Sequence, residues 1–277
     1  MLNDLAKIPN RGHHHTRKYD YPTLRVFVRW VDELRHRFTP LPVGTTRSVF
    51  RLLFPEEDAQ RKYGLQEKLL CSHLAQCISV PIEKIRRWDA KGASGCLGQE
   101  LYEVLLTRSS TVILAPYLSS SGSQYVQGDQ NNENSPSISD VDNLLDELAS
   151  TSEYSAFSLQ FNNPSARTPQ TILRQLYRLL SPSDASFVTQ IILKDLRPLI
   201  YPLPTQHYTS ALTSYNSNSI QPLSIQDAMR VWDISGQLLK AYRLNPVIDN
   251  VTLAFDKSTN LLETISKIGS FIQVITS

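Results

Sequence analysis

Apolar side chains recur along this chain at the spacing of three and four residues that places them on one face of an α-helix. Within residues 22–38, Leu24, Phe27 and Val31 follow this spacing, and charged residues fill the opposite face. Pro40 comes next, and a proline ends a helix because it has no N–H to donate. The same spacing predicts further helices over residues 47–54, 65–78, 81–88, 96–106, 139–149, 169–180, 182–197 and 224–242.

Helix starts are marked by side chains that accept hydrogen bonds from the first backbone N–H groups of a helix. The run Ser181–Asp184 combines such a cap with a proline at the first helical position and an acid at the third. Ser224 and Asp227 repeat the cap and the acid, and Ser139 is predicted to cap the helix over 139–149. From Val251 onwards the periodicity is mixed, so the pattern leaves that segment open.

The predicted fold class is all-α, an irregular multi-helix array that forms one domain or two packed helical lobes. The chain has 16 Pro and 10 Gly, a balance that favours helices joined by loops over hairpins. Residues 119–137 are rich in Ser, Asn, Gln and Gly, which predicts a disordered loop between lobes. We divide the chain into a flexible tail (1–20), the helical domain (21–245) and a C-terminal extension (246–277).

The net charge of +2 excludes neither nucleic acid nor protein partners, but the charges are unevenly distributed. Residues 1–108 carry 18 Lys and Arg against 12 Asp and Glu, whereas residues 109–277 carry 10 against 14. A nucleic-acid surface is therefore expected in the first part of the chain. No apolar run reaches the roughly 18 residues of a membrane helix, and the first residues lack a signal-peptide core. We expect neither membrane insertion nor secretion.

The sequence contains no recognisable catalytic constellation. Cys71, Cys77 and Cys96 lack the paired spacing of a zinc site, so buried, reduced thiols are expected. A dyad of Cys71 and His73 is disfavoured, because residues two apart on a helix point to different faces. The glycine-rich run 92–98 lacks the lysine of a phosphate-binding loop. We therefore predict no catalytic residue and no metal site.

Four segments, in order along the chain, resemble the N-terminal domain of eukaryotic ATP-dependent DNA ligases, and most closely fungal DNA ligase IV-like proteins. Residues 41–78 include FRLLFPEEDAQRKYGLQEKLL, which is similar to the family's early helix–loop–helix. Residues 88–106 include SGCLGQEL, which resembles its glycine–x–leucine–glycine turn. Residues 139–149 and 176–200 resemble the helix after a variable loop and the helix pair that ends in a basic segment.

The resemblance implies a helical domain that binds duplex or nicked DNA without reading sequence, in a nuclear ligase of DNA repair and recombination. The family's nucleotide-accepting lysine lies in a lysine–x–aspartate–glycine motif, which is absent here. A non-catalytic fragment, a truncated ligase or a stand-alone protein is expected, without the nucleotidyltransferase core. ATP and Mg²⁺ would belong to that core and not to this chain. DNA, such a core and repair proteins are the expected partners.

The residues expected to contact DNA fall into four groups, each with a structural alternative. The candidates are Lys194 and Arg197 in the basic run, Ser94, Gly95 and Gly98 in the small-residue turn, Lys84, Arg86, Arg87 and Lys91 around Trp88, and Arg47 and Arg51 one helical turn apart. Phosphate contacts use such cations, or backbone that approaches closely at a helix start. The structural alternative for the basic run is a solvated polar face, and that for the small-residue turn is turn geometry or helix packing. The group around Trp88 could instead be charged surface around a buried tryptophan, and Arg47 and Arg51 could be plain surface charge.

Two other classes of function stay open. A helical array of nearly neutral charge is also typical of a protein-interaction or scaffold module that binds peptides in a groove and binds no DNA. An intact enzyme is disfavoured by the missing nucleophile and base. Titration of the protein with duplex DNA at low salt separates the DNA-binding domain from the scaffold.

Overall fold

The computed structural model describes residues 1–8, 21–38, 40–89, 95–114, 136–162, 167–200 and 221–259. Every regular element within these ranges is a helix, which confirms the predicted all-α class. In chain order the α-helices are α1 (Leu2–Ala6), α2 (Pro22–Arg37), α3 (Thr45–Leu53), α4 (Glu67–Cys77), α5 (Ile82–Ile85), α6 (Leu97–Leu114), α7 (Ile138–Ser150), α8 (Phe157–Asn162), α9 (Pro169–Leu179), α10 (Pro182–Ile192), α11 (Arg197–Ile200), α12 (Ile225–Trp232), α13 (Gln237–Leu244) and α14 (248–259). A 3₁₀ turn, Arg86–Asp89, follows α5.

The helices belong to two compact units. Unit 1 comprises Met1–Gln60 and Leu212–Ser277, and unit 2 comprises Arg61–Ala211. The loop predicted to separate two lobes, residues 119–137, lies almost wholly outside the described residues, and its numbers fall within unit 2. The chain instead leaves unit 1 after Gln60 and returns to it at Leu212, so segments from both ends of the sequence build one unit.

Unit 1 is built around aromatic side chains from distant parts of the sequence. The ring of Trp232 on α12 packs edge-on against Phe50 of α3, with centroids 5.7 Å apart and an interplanar angle of 87°. Its indole N–H donates to Thr46 Oγ1 over 2.9 Å. Phe27 and Val31 of α2, predicted to point inward, are buried in the same core. The core therefore joins α2 and α3 to α12.

The two ends that the sequence pattern set apart from the domain both contain helices of unit 1. Leu5 of α1 is buried, although residues 1–20 were predicted to be a flexible tail; residues 9–20 lie outside the described residues. The segment that the periodicity left open forms α14, and its Ile248 and Val251 lie in the core of unit 1. A helix with mixed periodicity has apolar and charged contacts on several faces.

A buried ionic network ties α3 to α14. The Arg51 side chain is fully buried, and its Nε lies 3.2 Å from Asp249 Oδ1 and 3.6 Å from Asp58 Oδ2. Arg47 donates to the two carboxylate oxygens of Asp249 over 2.9 and 3.2 Å. A charge removed from water needs such partners, because its desolvation costs several kcal/mol. Neither expectation for Arg51, phosphate contact or surface charge, holds, since its guanidinium has no exposed surface.

The carboxylate of Asp256, also on α14, caps the start of α3. It accepts a hydrogen bond from the Arg47 N–H at 3.5 Å, and further bonds from the backbone of Gly44 and Thr46. The residue at the cap position of α3 is Gly44, which has no side chain with which to cap the helix. Burial raises the pKa of the Asp256 carboxyl, against the opposite effect of these donors. A residue more than two hundred positions away thus supplies what a local Ser or Asp usually supplies.

Unit 2 centres on the contact between α6 and α10. The residues of α10 predicted to point inward are buried: Phe187, Val188, Ile191 and Ile192. Gly98, the second residue of α6, faces the backbone carbonyl of Ser186, and a Cβ at position 98 would lie 2.6 Å from that oxygen. Because real Cβ atoms do not approach an oxygen so closely, glycine is what lets these two helices meet here.

Arg61 is a second fully buried arginine, and it joins the first residues of unit 2 to α7. Its Nη1 lies 2.7 Å from Asp142 Oδ1 and 3.8 Å from Asp146 Oδ1. Nothing in the local pattern distinguishes these two acids from surface charges, whereas the fold turns both inward as counter-ions. The predicted cap of α7 is wrong: Ser137, not Ser139, forms the capping box with Asp140.

Two of the predicted helices are divided by left-handed backbone. The helix predicted over 182–197 ends at Ile192, because Lys194 has φ +62°, and α11 begins at Arg197. The helix predicted over 224–242 is divided into α12 and α13 by a turn in which Gly236 has φ +74°. The caps are confirmed, since the side chains of Ser181 and Ser224 accept from the N–H groups three residues later.

We expect Asp249→Ala to lower the free energy of unfolding of unit 1 by about 3 kcal/mol, because it removes the carboxylate that the buried Arg51 shares with Arg47 and leaves Arg51 with the more distant Asp58. Urea unfolding followed by tryptophan fluorescence measures this, since two of the three tryptophans, Trp30 and Trp232, belong to unit 1. Asn250→Ala, at the exposed neighbouring position of α14, is the control. Equal effects of the two substitutions would contradict the assigned role of the network.

Asp233, in the turn between α12 and α13, is expected to make unit 1 sensitive to acid. Burial raises its carboxyl pKa, but hydrogen bonds from Ser235, Leu238 and Gln237 together outweigh burial and hold it below the ordinary value of 3.8. The folded pKa is thus below the unfolded one. The carboxylate therefore stabilises the fold above the ordinary value, and this contribution disappears as the pH falls through the folded pKa.

Asp233→Asn should consequently be less stable than the wild type near neutral pH and equally stable once the wild-type carboxyl is protonated, since asparagine resembles the uncharged acid. Urea midpoints measured from about pH 7 down to about pH 2.5 test this. A difference in midpoint that stays constant over the whole range would show that the carboxylate charge is not what stabilises the turn.

Candidate nucleic-acid interface

Three segments that are distant in the sequence meet at one cleft of unit 2, which has a volume of about 570 Å³. Its lining includes the first residues of α4, Gly95 just before α6, and the loop between α10 and α11. We call it the Gly95 cleft. Leu193, Asp195 and Pro198, the immediate neighbours of Lys194 and Arg197, belong to the lining. The structure therefore brings the small-residue turn and the basic run, two of the four predicted groups, to the same place.

The loop after α10 turns sharply because Lys194 adopts left-handed backbone. The Asp195 N–H returns to the Gln190 carbonyl over 3.0 Å, and the Lys194 N–H to the Ile191 carbonyl over 3.1 Å. In this type of helix end the left-handed position is usually glycine. A lysine there costs about 1 kcal/mol or more, and such strain is concentrated at functional sites. The position thus retains a long cationic side chain at an energetic cost.

The ammonium of Lys194 is oriented by an aromatic ring. Its Nζ lies 5.4 Å from the centroid of the Tyr63 ring, and Tyr63 is itself buried. The face of the ring attracts a cation without neutralising its charge. The contact therefore fixes the position of a positive charge on the loop whose neighbouring residues, Leu193 and Asp195, line the cleft.

Arg197 lies at the first position of α11, with a side chain that is 60% exposed. Its Nε and Nη2 donate to the two oxygens of Asp195 over 2.6 and 2.9 Å. Exposed ion pairs of this kind contribute less than about 1 kcal/mol. The guanidinium can exchange Asp195 for a phosphate at little cost, and both anions suit its planar fork.

The small-residue turn has two different roles. Gly95 has φ +65° and lines the cleft, where backbone can approach a ligand closely. Gly98 is buried against α10, so its role is helix packing, the structural alternative to a phosphate contact. Between them, the Cys96 sulfur accepts from the N–H groups at the start of α6, and burial raises the pKa of this thiol to about 11.

The Gln190 side chain forms hydrogen bonds to both the small-residue turn and the basic run. In the amide orientation that satisfies both groups, its oxygen accepts from the Gly98 N–H over 3.1 Å and its nitrogen donates to the Asp195 carbonyl over 2.6 Å. The two sides of the cleft are therefore joined through a side chain that is buried. The sequence indicated no role for Gln190, because one amide carries no recognisable pattern.

The start of α4 forms the remaining side of the Gly95 cleft. Gln66 at its cap position makes no side-chain cap bond, and the N-terminus of a helix carries a partial positive charge. Lys68 in the first turn is exposed and lines the cleft, while Glu67 and Asp195 contribute opposing charges. Lys68 was not among the predicted contacts, although it lies in the run FRLLFPEEDAQRKYGLQEKLL that carried the first resemblance.

The other predicted groups lie elsewhere. Arg86 and Arg87 are exposed on the 3₁₀ turn, and Lys84 is exposed on α5. Lys91 and Ser94 lie outside the described residues. Arg47 belongs to unit 1, where it pairs with Asp249 and is 28% exposed, so it is not part of the Gly95 cleft.

Two of the three cysteines are buried, as predicted. The three cysteines are free thiols, and Cys71 and Cys96 are buried as expected, whereas Cys77 is half-buried. Within the described ranges, no group of three or more His, Cys, Asp and Glu side chains is arranged to hold a metal ion. No helix among the described residues has the length and apolar character needed to cross a membrane.

The family model for the DNA ligase N terminus matches residues 25–200. Because this match spans more than half of the chain, the protein belongs to that family. The resemblance is thereby confirmed at the level of the N-terminal domain of ATP-dependent DNA ligases. A search among curated proteins found no match. All three segments that line the Gly95 cleft lie within the matched residues, whereas α12, α13 and α14 lie beyond them.

The strain at Lys194 can be measured by glycine substitution. Ser79, in left-handed backbone at the end of α4, provides the comparison, since its φ is +54°. We expect Ser79→Gly to stabilise unit 2 by about 1 kcal/mol. Lys194→Gly should gain less, because it also loses the contact with Tyr63, worth roughly 0.5–1 kcal/mol. Scanning calorimetry of both variants tests this. If both substitutions destabilise the protein, the backbone at these positions is not strained.

Proposed function

We propose that unit 2 binds the sugar–phosphate backbone of duplex DNA at the Gly95 cleft, without reading base sequence. The observation that carries the proposal is the meeting of Gly95 with the loop that holds Lys194 and Arg197. Membership of the DNA ligase N-terminal family supports DNA as the ligand. The same cations and helix start would suit any phosphodiester, because phosphate contacts carry no sequence information.

The charges around the cleft favour weak binding. Lys68 lines the cleft, and Lys194 and Arg197 lie on the loop whose neighbouring residues line it. The first turn of α4 adds a partial positive charge. Glu67 and Asp195 oppose them, and Asp195 has to release Arg197 when a phosphate binds. We therefore expect a Kd on the order of 10⁻⁶ to 10⁻⁴ M at physiological salt, which is the range of sequence-independent binding.

We also propose a biological setting on the strength of the sequence resemblance. The run FRLLFPEEDAQRKYGLQEKLL supports kinship with fungal DNA ligase IV-like proteins. The protein would then act in the nucleus, in DNA repair and recombination, on nicked or intact duplex. ATP and Mg²⁺ would be bound by a nucleotidyltransferase core, and such a core and repair proteins would be its protein partners.

Lys194→Ala combined with Arg197→Ala should weaken duplex binding, because the variant loses two phosphate contacts. The slope of log K against log salt should become shallower by about 2, since each contact contributes roughly 0.9. Fluorescence anisotropy of a labelled nicked duplex, titrated at several salt concentrations, gives both quantities. Nicks placed in different base sequences should be bound equally well.

The control is Arg174→Ala combined with Arg178→Ala, which removes the same charge from exposed positions on α9. It should leave the slope unchanged, which separates loss of a contact from loss of net charge. Equal slopes for the wild type and the Lys194 and Arg197 variant would exclude these two residues as contacts. If the wild type fails to bind at the lowest salt, DNA binding is wrong and the scaffold alternative remains.

A further inference from the structure

A second cleft in unit 2 has a lining rich in cations. Its volume is about 580 Å³, and Lys84, Arg87 and Arg108 all line it. We call it the Arg108 cleft. Lys84 and Arg87 were predicted as part of the basic group around Trp88, but the sequence indicated no role for Arg108, which lies on a different helix. The three side chains come together through the tertiary structure.

The accessible charge of the Arg108 cleft is positive. Lys84, Arg87 and Arg108 are exposed, whereas Glu100, one of two acids in the lining, is 8% exposed. The other acid, Glu103, is exposed and accepts a hydrogen bond from Gln99. A ligand that enters the cleft from solvent therefore meets three cations and one accessible carboxylate, a balance that favours an anion.

The rim of the Arg108 cleft is held by backbone contacts. The chain turns at Ser79, with left-handed backbone, and the Val80 N–H returns to the Ala75 carbonyl over 2.9 Å. The Arg108 guanidinium donates to the Ile78 carbonyl, which joins the second half of α6 to the end of α4. One side of the guanidinium is thereby fixed while the side chain as a whole remains exposed.

The two clefts lie near opposite ends of α4. This helix begins at the Gly95 cleft and ends just before Ser79 and Val80, which line the Arg108 cleft. Its 11 residues span about 16 Å at 1.5 Å per residue. That distance equals about five base pairs of a duplex, at 3.4 Å for each. One short stretch of DNA backbone is long enough to reach from one cleft to the other.

We propose that the Arg108 cleft binds consecutive phosphodiesters of the same duplex that occupies the Gly95 cleft, about five base pairs away. The inference rests on the proposed function and adds a second contact and a minimum length of DNA to it. Lys84, Arg87 and Arg108 each contribute a phosphate contact. A duplex too short to span both clefts binds through one of them.

The test compares the wild type with Lys84→Gln, Arg87→Gln and Arg108→Gln combined, in which glutamine at 108 retains a donor for the Ile78 carbonyl. Anisotropy titrations use labelled DNA hairpins with duplex stems of about 3 to about 24 base pairs at several salt concentrations. The wild type should gain affinity as the duplex becomes long enough to span both clefts. The triple variant should lose this gain, and its salt slope should fall by about 2.7 on long duplexes.

Two further variants keep the outcomes distinct. Lys84→Gln with Arg87→Gln leaves Arg108 unchanged and should lose about two-thirds of the effect, even if the triple variant folds poorly. Arg174→Gln with Arg178→Gln, exposed on α9, should behave as the wild type. A circular dichroism melt verifies that each variant is folded.

The inference and the proposed function fail in different ways. If the wild type binds no duplex, both are wrong. If the Lys194 and Arg197 variant loses salt dependence while the Lys84 and Arg87 variant keeps it, the Gly95 cleft stands and the Arg108 cleft does not bind DNA. If the triple variant loses salt dependence but keeps the length dependence, the cleft binds a separate phosphodiester segment, and the proposal of a single duplex is wrong.

Discussion

The close approach of Gly98 to the Ser186 carbonyl sets the geometry of the candidate interface. No Cβ fits at this point, because it would lie 2.6 Å from the oxygen, so α6 can begin directly against α10 only with glycine at position 98. This contact places Gly95 beside the loop that follows α10, and Gln190 then joins the two segments by hydrogen bonds. A glycine that does not need to touch DNA thereby determines where Gly95, Lys194 and Arg197 meet.

Unit 1 depends on charges that come from the C-terminal part of the sequence. Asp249 neutralises Arg47 and Arg51, and Asp256 caps the helix on which both arginines lie. The family match ends at residue 200, yet α12, α13 and α14 complete the core of this unit. The folded unit therefore extends beyond the residues that define the family, because Arg51, a buried arginine of the matched region, takes one of its counter-ions, Asp249, from outside it.

The candidate interface could be predicted from the sequence in its parts but not in its assembly. Cationic residues and glycines were recognisable as groups, since phosphate binding needs those residue types. Their distribution between the Gly95 cleft, the Arg108 cleft and the core was not, because a local pattern does not reveal which distant carboxylate lies nearby. Arg51 and Arg108 illustrate the two errors: the first has buried counter-ions, and the second shares a cleft with residues of another helix.

The sequence by itself determined the helical class, most helix positions and the caps at Ser181 and Ser224, because periodicity and capping act between residues a few positions apart. It also carried the family resemblance. The tertiary structure decided the division into two units, the break at Lys194 and the helical state of residues 248–259. It also decided which charged side chains are buried with a counter-ion and which are exposed. These features depend on burial and on partners that can lie about two hundred residues away in the sequence. Interactions between such distant residues produce no local sequence pattern from which they could be predicted.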